Sequence, residues 1–537
     1  MASFSRYSRL LMAGSACVLL ASCGGADSVA SPGAGAITII NPATPAPTPT
    51  PTGTPTPTAL TASQFAAQTT VNGITVTSQE QLDLVNAGAN NNVNGTNILN
   101  GVYPTNATPV TAADPTRLGS FFTPANFIGA TSGPNDNNFV GWTCNSTAAN
   151  FGSGSASCTA VPSIGSPVAG SCPTGTIDDG TNSSSSPTFR YCRLPQIIDT
   201  DLSLPKVAGV VYRFRGQTEV GNVATGATAT LNIAAGVVLA ADSSESTNDL
   251  LLVNRGSKIN AVGTASAPIV FTAQQNLASN GVSDATQGLW GGIVLLGRAP
   301  TAVCAAGTGP NNADGTSATC QNPIEGVTNR FYGGTNQADS SGTMQYVQIR
   351  YTGIAISEGN ELQGLTLGGV GSGTTLDHIQ SHNSADDGVE IFGGTANMKY
   401  MVMTGADDDG FDIDNGYRGF IQFMITAQKP LGATADSFST EIDSNGAEDL
   451  LPRTFARYAN FTFIQTALAP AAIRLRGGAD MTFVNGVVKT PATVACVNII
   501  AGEQTSGGRS TVRPADNALQ DAGPPAFNSV YFACQGR

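Results

Sequence analysis

The residues best placed to do chemistry are acidic, and they recur in step. Asp387-Gly388-Val389-Glu390-Ile391 is answered 22 residues later by Asp409-Gly410-Phe411-Asp412-Ile413. Glu441-Ile442-Asp443-Ser444-Asn445-Gly446 parallels Asp412-Ile413-Asp414-Asn415-Gly416, and Ile473-Arg474-Leu475-Arg476-Gly477-Gly478 parallels Val389-Glu390-Ile391-Phe392-Gly393-Gly394. If Val389 and Ile391 point into a core, strand alternation turns Glu390 and Phe392 outward. One outer face then carries a column of Glu390, Asp412, Glu441 and Arg474, with Phe392, Asp414, Asp443 and Arg476 beside it. Like charges about 4.8 Å apart repel, so the column needs a cation, shared protons or its two arginines. Three chemistries follow. A hard cation such as Ca²⁺ takes roughly six to eight oxygens, and Glu390, Asp412, Asp414, Glu441 and Asp443 offer them. A carboxylate pair among Glu390, Asp412 and Glu441, with Arg474 alongside, is the equipment of glycosidic acid/base catalysis. The plain alternative is an acidic face that only meets solvent.

Two histidines are present, His378 and His382. His378 aligns with Tyr346, Tyr400 and Gln422 on one outward column. A Tyr346–His378–Tyr400 row would offer a flat platform to a sugar ring, or simply shield a neighbouring loop. His378, His382 and Asp386 make a thin metal-ligand set. No Gly-x-Ser-x-Gly nucleophile elbow occurs, and Asp407–Asp414 lacks the Gly and Glu spacing of an EF-hand loop.

These positions require a scaffold with the same period. Leu376-Asp377-His378-Ile379 recurs as Met398-Lys399-Tyr400-Met401 and as Phe420-Ile421-Gln422-Phe423, in steps of 22, and Phe461 and Phe483 keep the interval. Met344-Gln345-Tyr346-Val347 joins the set after a longer turn. Each period holds at least two short alternating strands between Gly, Asn and Asp, too little for a βαβ unit of about 30 residues. It suits one coil of a parallel β-helix. Gly256–Thr264, Pro268–Thr272 and Leu289–Leu295 resemble the coils of right-handed β-helix passenger and adhesin proteins. The expected fold is therefore all-β: a right-handed parallel β-helix over 206–500. Residues 63–205 form a disulfide-rich N-terminal cap or side domain, 431–453 a loop thrown out from one coil, and 501–537 a C-terminal cap. The turns Ala385-Asp386-Asp387-Gly388-Val389 and Asp407-Asp408-Asp409-Gly410 resemble the paired-Asp turn of pectin-cleaving β-helix hydrolases. That family's Gly-His-Gly turn and Arg-x-Lys strand do not appear.

Composition agrees with a solenoid and removes other classes. The chain has 537 residues with Gly 63, Pro 30 and only 11% charged residues, which disfavours helical bundles and coiled coils. A net charge of −13 has the wrong sign for nucleic-acid phosphates. Arg6 and Arg9 precede the apolar run 10–21, which is too short to span a bilayer as a mature helix. The run ends Leu20-Ala21-Ser22-Cys23-Gly24, and this resembles the lipobox of bacterial lipoproteins. The resemblance implies a signal peptide over 1–22, lipidation of Cys23 and membrane attachment through that anchor. Gly rather than Asp at position 24 implies outer-membrane sorting, with the protein at the cell surface or released to the medium. Residues 23–62 continue as a tether whose alternating Pro and Thr favour extended polyproline II. Beyond Cys17 and Cys23, eight cysteines remain: Cys144, Cys158, Cys172, Cys192, Cys304, Cys320, Cys496 and Cys534. An even number in an exported chain implies disulfides. Neighbour pairing is the simplest of the 105 connectivities. The expected partners are a polysaccharide, a cation or another envelope protein, and a polysaccharide lyase or hydrolase is the catalytic alternative.

Overall fold

The computed structural model describes residues 112–534, apart from 134–135, 183–187, 244–247, 279–280, 306–319, 358, 430–435, 445–448, 466–468, 470, 492–493, 500–510 and 512–513. The signal segment, Cys23 and the tether lie outside the described residues.

The fold is a right-handed parallel β-helix. Among the described residues its only helical elements are the 3₁₀ turns Pro115–Leu118, Gln274–Leu277 and Asn517–Leu519. Two sheets run its length. A ten-stranded sheet stacks short strands in the order Ile197–Ile198, Gln217–Val220, Leu250–Val253, Ile293–Leu296, Leu365–Gly368, Val389–Phe392, Phe411–Asp414, Thr440–Ile442, Ala471–Leu475 and Ala495–Ile499. A fifteen-stranded sheet covers the rest of each coil. Its later rungs are long and bend sharply, because one residue in each takes a left-handed conformation: Tyr346, His378, Tyr400, Phe423, Asn460, Asn485 and Ser529. Each of these later coils thus makes two sides of its cross-section from a single strand, whereas the coil before them uses two, Lys258–Val262 and Ile269–Ala273, which both pair with Gly342–Arg350.

Alternation builds the core. Val389, Ile391, Phe411, Ile413, Ile442, Ile473 and Leu475 point inward and are buried. Long-strand residues such as Met398, Met401, Ile421, Met424, Phe461 and Phe483 meet them in one continuous cluster. Burying a large apolar side chain contributes about 1.5–3 kcal/mol, so each added coil extends the core and stabilises its neighbours.

The strand order carries the helix beyond the expected 206–500 limits. Arg190–Arg193 already pairs in parallel with Val210–Phe214, and Ala526–Ala533 pairs with the rung Asp480–Lys489. Part of the 501–537 segment thus adds a further rung to the fifteen-stranded sheet. Disulfides Cys144–Cys158, Cys172–Cys192, Cys304–Cys320 and Cys496–Cys534 all form.

Residues 112–160 lie along the bent strands as a strap. Side-chain amides hold the strap's backbone: Asn485 exchanges two bonds with Ala113 (2.7 and 2.9 Å). Gln422 binds the N–H and carbonyl of Thr123. Gln380 does the same for Cys144, and Arg350 donates to the Cys158 carbonyl.

Candidate functional site

Strand pairing sets the acidic column. Thr366, Glu390, Asp412, Glu441, Arg474 and Asn498 are successive partners across the ten-stranded sheet. The face is not solvated. Glu390, Asp414, Glu441 and Asp443 are buried and Asp412 half-buried, because insertions fold over the sheet. One is the hairpin Asn322–Pro323 with Phe331–Tyr332, and the other is Ile354–Ser357 with Asn360–Leu362. Tyr332, Ile324 and Leu362 pack on Phe392 and on Val294 and Leu296. Glu325 accepts from the Glu361 backbone N–H (2.7 Å), and Asn360 from that of Gly326 (2.8 Å).

The column divides into two electrostatic halves. Arg476 sits 2.8 Å from Glu441 and 2.6 Å from Asp443. Arg474 reaches Asp436 at 2.7 Å and Glu441 at 3.6 Å. Those carboxylates have their counter-charges. The other half has none in contact: among the described residues no Lys or Arg lies within 4 Å of Asp387, Glu390 or Asp412, although the field of Arg476 reaches Asp412 and opposes its acidic neighbours. Instead, donor oxygens of Asp387, Glu390 and Asp412 all fall within 4.8 Å of one another, and a second such group joins Asp386, Asp387 and Asp408. Asp387 belongs to both. The five-carboxylate cation set expected from alternation is thus redistributed. Arginines take Glu441 and Asp443, Asp414 stands apart with an unpartnered Oδ1, and turn residues complete the group around Glu390 and Asp412.

The turns entering the ten-stranded sheet explain this. Asp387 accepts from the backbone N–H of Asp409 (2.8 Å), and Asp409 accepts from that of Phe438 (2.6 Å). Each Asp therefore bridges to the next coil and is fixed at the sheet's entrance. Gly388 follows because a Cβ there would meet the Gly410 carbonyl at 2.6 Å. Asp386 and Asp408 are half-buried and form the open side, while Asp387 and Glu390 form the floor.

Burial dominates the ionisation of this cluster. It pushes Asp386 up to about 8, with Asp408 adding to the shift. Asp387, Glu390 and Asp412 are raised well above the usual carboxylate range by burial and then by their acidic neighbours. Glu390 Oε2 is fully enclosed and has no hydrogen-bond partner among the described residues. An acceptor left bare in such a site costs about 1–3 kcal/mol, more if charged, and a hard cation answers it directly. The all-oxygen donor set fits Ca²⁺.

The aromatic row exists but is covered. Tyr346 stacks on His378 at 4.3 Å, His378 on Tyr400 at 4.2 Å and Tyr400 on Phe423 at 4.8 Å. Trp142, Phe139 and Phe127 of the strap lie against His378, Tyr400 and Phe423, so the row is not an open sugar platform. Phe423, not Gln422, continues it: the register pairs Lys399 with Gln422 and Met401 with Met424, one residue beyond the 22-residue step. Nor do Phe461 and Phe483 occupy equivalent places, since Phe461 pairs with Gly486 and Tyr458 with Phe483. His382 does not approach Asp386 as a ligand. Its Nδ1 meets Thr404 Oγ1 at 2.9 Å, and burial, Arg350 and Lys429 depress its pKa to about 3.

Asp387 and Asp408 escape strand alternation because they sit in turns. The signal that finds them is the repeated Asp-Asp-Gly, 22 residues apart. No curated protein and no solved structure matches the chain significantly. Residues 199–519 match the family model described as "Pectate-lyase like beta helix domain". With its parallel coils, bent rungs and acidic sheet entrance, this chain belongs to the pectate-lyase-like β-helix domain family.

Proposed function

We propose that this protein binds a polysaccharide at the bacterial envelope, through a divalent cation held on the acidic face of the ten-stranded sheet. The observation that carries the reading is the convergence of Asp387, Glu390 and Asp412 around an enclosed, unpartnered Glu390 oxygen. Family membership supports a polysaccharide-related role. The Leu-Ala-Ser-Cys-Gly sequence ending at Gly24 supports a lipid anchor on Cys23 at the outer membrane, and the Pro/Thr tether would hold the solenoid clear of the lipid. A bound Ca²⁺ would supply the positive charge that bridges protein carboxylates to sugar oxygens. Asp387 and Glu390 would hold it from the floor, with the half-buried Asp412 beside them.

Calcium titration tests this. Ca²⁺ binding to the folded state alone stabilises by about 2.7 kcal/mol at a hundredfold excess over Kd. Millimolar Ca²⁺ should therefore raise the melting temperature of wild type but not of Asp387→Asn/Asp412→Asn. If chelator and Ca²⁺ leave wild type unmoved, the cation site is wrong. A glycan panel with and without chelator tests the ligand. Lipidation is tested by labelled palmitate, which Cys23→Ala should fail to take up.

One observation favours a catalytic variant of the same site. Asp386, held protonated near neutrality on the half-open side, is equipped to donate a proton to a leaving sugar oxygen. Reducing ends or unsaturated products in the same panel would show it, and Asp386→Asn should abolish them.

A further inference from the structure

The turns leaving the ten-stranded sheet have the opposite character to those entering it. A cavity of about 520 Å³ opens there, lined by Pro300, Gln337, Thr395, Arg418, Arg457 and Gln520 among others. Arg418 donates to the Arg453 carbonyl and to Gln520 Oε1, both at 3.1 Å. The Arg457 guanidinium carbon lies over Phe455, 3.7 Å from the ring centre, and 5.3 Å from that of Phe420. Its guanidinium makes no hydrogen bond or ion pair with any described residue. No described carboxylate comes within 4 Å of either arginine. Asp480 is a carboxylate whose field reaches both arginines, but it makes no ion pair with either and burial pushes it up to about 7. Burial and the neighbouring Arg418 both weaken Arg457's hold on its proton, down to about 10. Two like charges half withdrawn from water are costly without a counter-ion in direct contact.

A second cleft of about 360 Å³ repeats the pattern toward the N-terminal end, with Arg255, Arg298 and Arg330 in its wall. Arg330 is paired with Glu219 at 2.9 Å. The guanidinium groups of Arg255 and Arg298 have no described carboxylate within 4 Å, although Asp339 accepts from the Arg298 backbone N–H at 2.8 Å. Burial and then Arg298 lower the pKa of Arg255, against the opposing field of Asp339. The two clefts sit on the same edge. From the strand Ile293–Leu296 to Phe411–Asp414 is three steps in the sheet order, or about 14 Å at the usual strand spacing.

We propose that this edge is a binding track for an anionic oligosaccharide, with Arg418 and Arg457 forming the principal subsite for a carboxylate- or sulfate-bearing sugar. Guanidinium groups bind such oxyanions in forked pairs. Phe455 supports the Arg457 guanidinium from one side. Gln337, Thr395 and Gln520 supply neutral hydrogen-bonding groups for hydroxyls. The ligand class rests on the polysaccharide reading above, but the track does not use the cation.

The test is calorimetric titration of the purified full-length protein with uronate, sulfated and neutral oligosaccharides, with chelator present throughout. Wild type should bind one acidic class at least tenfold more tightly than the neutral one, with affinity falling as salt rises. Uronate and sulfate arms identify which oxyanion is preferred. Arg457→Gln and Arg418→Gln should each cost tenfold or more, whereas Asp387→Asn/Asp412→Asn should bind as wild type. Arg457→Lys, which keeps charge but loses the fork, should recover only part of the affinity. A second measurement needs no variant: the bound acidic oligosaccharide should protect Arg418 and Arg457 of wild type from phenylglyoxal, read by mass spectrometry. Equal binding of neutral and acidic sugars, or no protection, overturns the track. Loss of acidic-sugar binding in the Asp387/Asp412 variant would assign the anion to the cation face instead.

Discussion

His382 shows how one side chain carries a condition for the whole fold. It is fully buried, bonded to Thr404 and flanked by Arg350 and Lys429, with its pKa depressed to about 3. In the unfolded chain it takes a proton near pH 6.5. Between those values the unfolded state binds a proton that the folded state refuses. Its contribution is therefore present above about pH 6.5 and is lost as pH falls, at about 1.4 kcal/mol per pH unit. His382→Asn, which keeps a partner for Thr404, should lose less of its urea midpoint between pH 7 and pH 4.5 than wild type does. An identical slope would acquit His382. Gly486 is a second such residue. The Phe461 ring leans over it, and a Cβ there would fall about 2.0 Å from ring carbon. Gly486→Val should overpack the core and cost about 1–3 kcal/mol, read as a lower melting temperature.

At the scale of the elements, the acidic column was largely legible. Glu390, Asp412, Glu441 and Arg474 share one register because strand alternation and the Asp-Gly turns repeat together. The division of labour within it was not, since it depends on where long side chains reach. Arg476 spans Glu441 and Asp443, both buried. Removing one partner of such a group leaves buried charge, and Arg476→Gln should cost about 3–5 kcal/mol. Arg474→Ala should cost less, because its closest partner, Asp436, is exposed. Denaturation of the two variants side by side checks the order. The aromatic row was legible as a row but not as a covered one. Its register slipped at Gln422 because the turn before Phe420 holds one residue more than the preceding coil's. Its cover comes from Phe127, Phe139 and Trp142, more than two hundred positions away, and no local pattern announces such a contact. The carboxylate cluster was half legible: Glu390 and Asp412 follow from alternation, whereas Asp387 and Asp408 join through turn geometry.

For the molecule as a whole, the buried acids set a pH response opposite in sign to that of His382. Asp480 and Glu325 are raised by burial to about 7, and Asp386 to about 8. Groups raised in this way stabilise the fold below their unfolded pKa and lose that contribution as pH climbs through the folded value. Above about pH 6.5 His382 no longer changes charge in either state, so the acids act alone. In chelator, the melting temperature should fall from pH 6.5 to 8.5. Ca²⁺ should flatten the part of that fall due to Asp386 and its neighbours, while Asp480, remote in sequence and bonded to Ala522, should keep its share. A flat profile in chelator would contradict the buried carboxylates' role.

The strap has a consequence for the order in which the protein is made. Ala113 finds its partner in Asn485, 372 residues further along the chain, and Cys144 finds Gln380, 236 residues on. Coils can otherwise form as soon as their neighbours exist, since each contacts mainly the next. The first-synthesised part of the described chain must instead wait, unpaired, until nearly the last rung has emerged. Folding is then vectorial in the coils and retrospective in the strap, whose docking is a final clasp over finished rungs. Loop closure across such separations is slow to nucleate, so strap protection in pulsed hydrogen exchange should appear after that of the core rungs. Once closed, the clasp couples distant coils, and a solenoid that would fray rung by rung from its ends is made to open as one body.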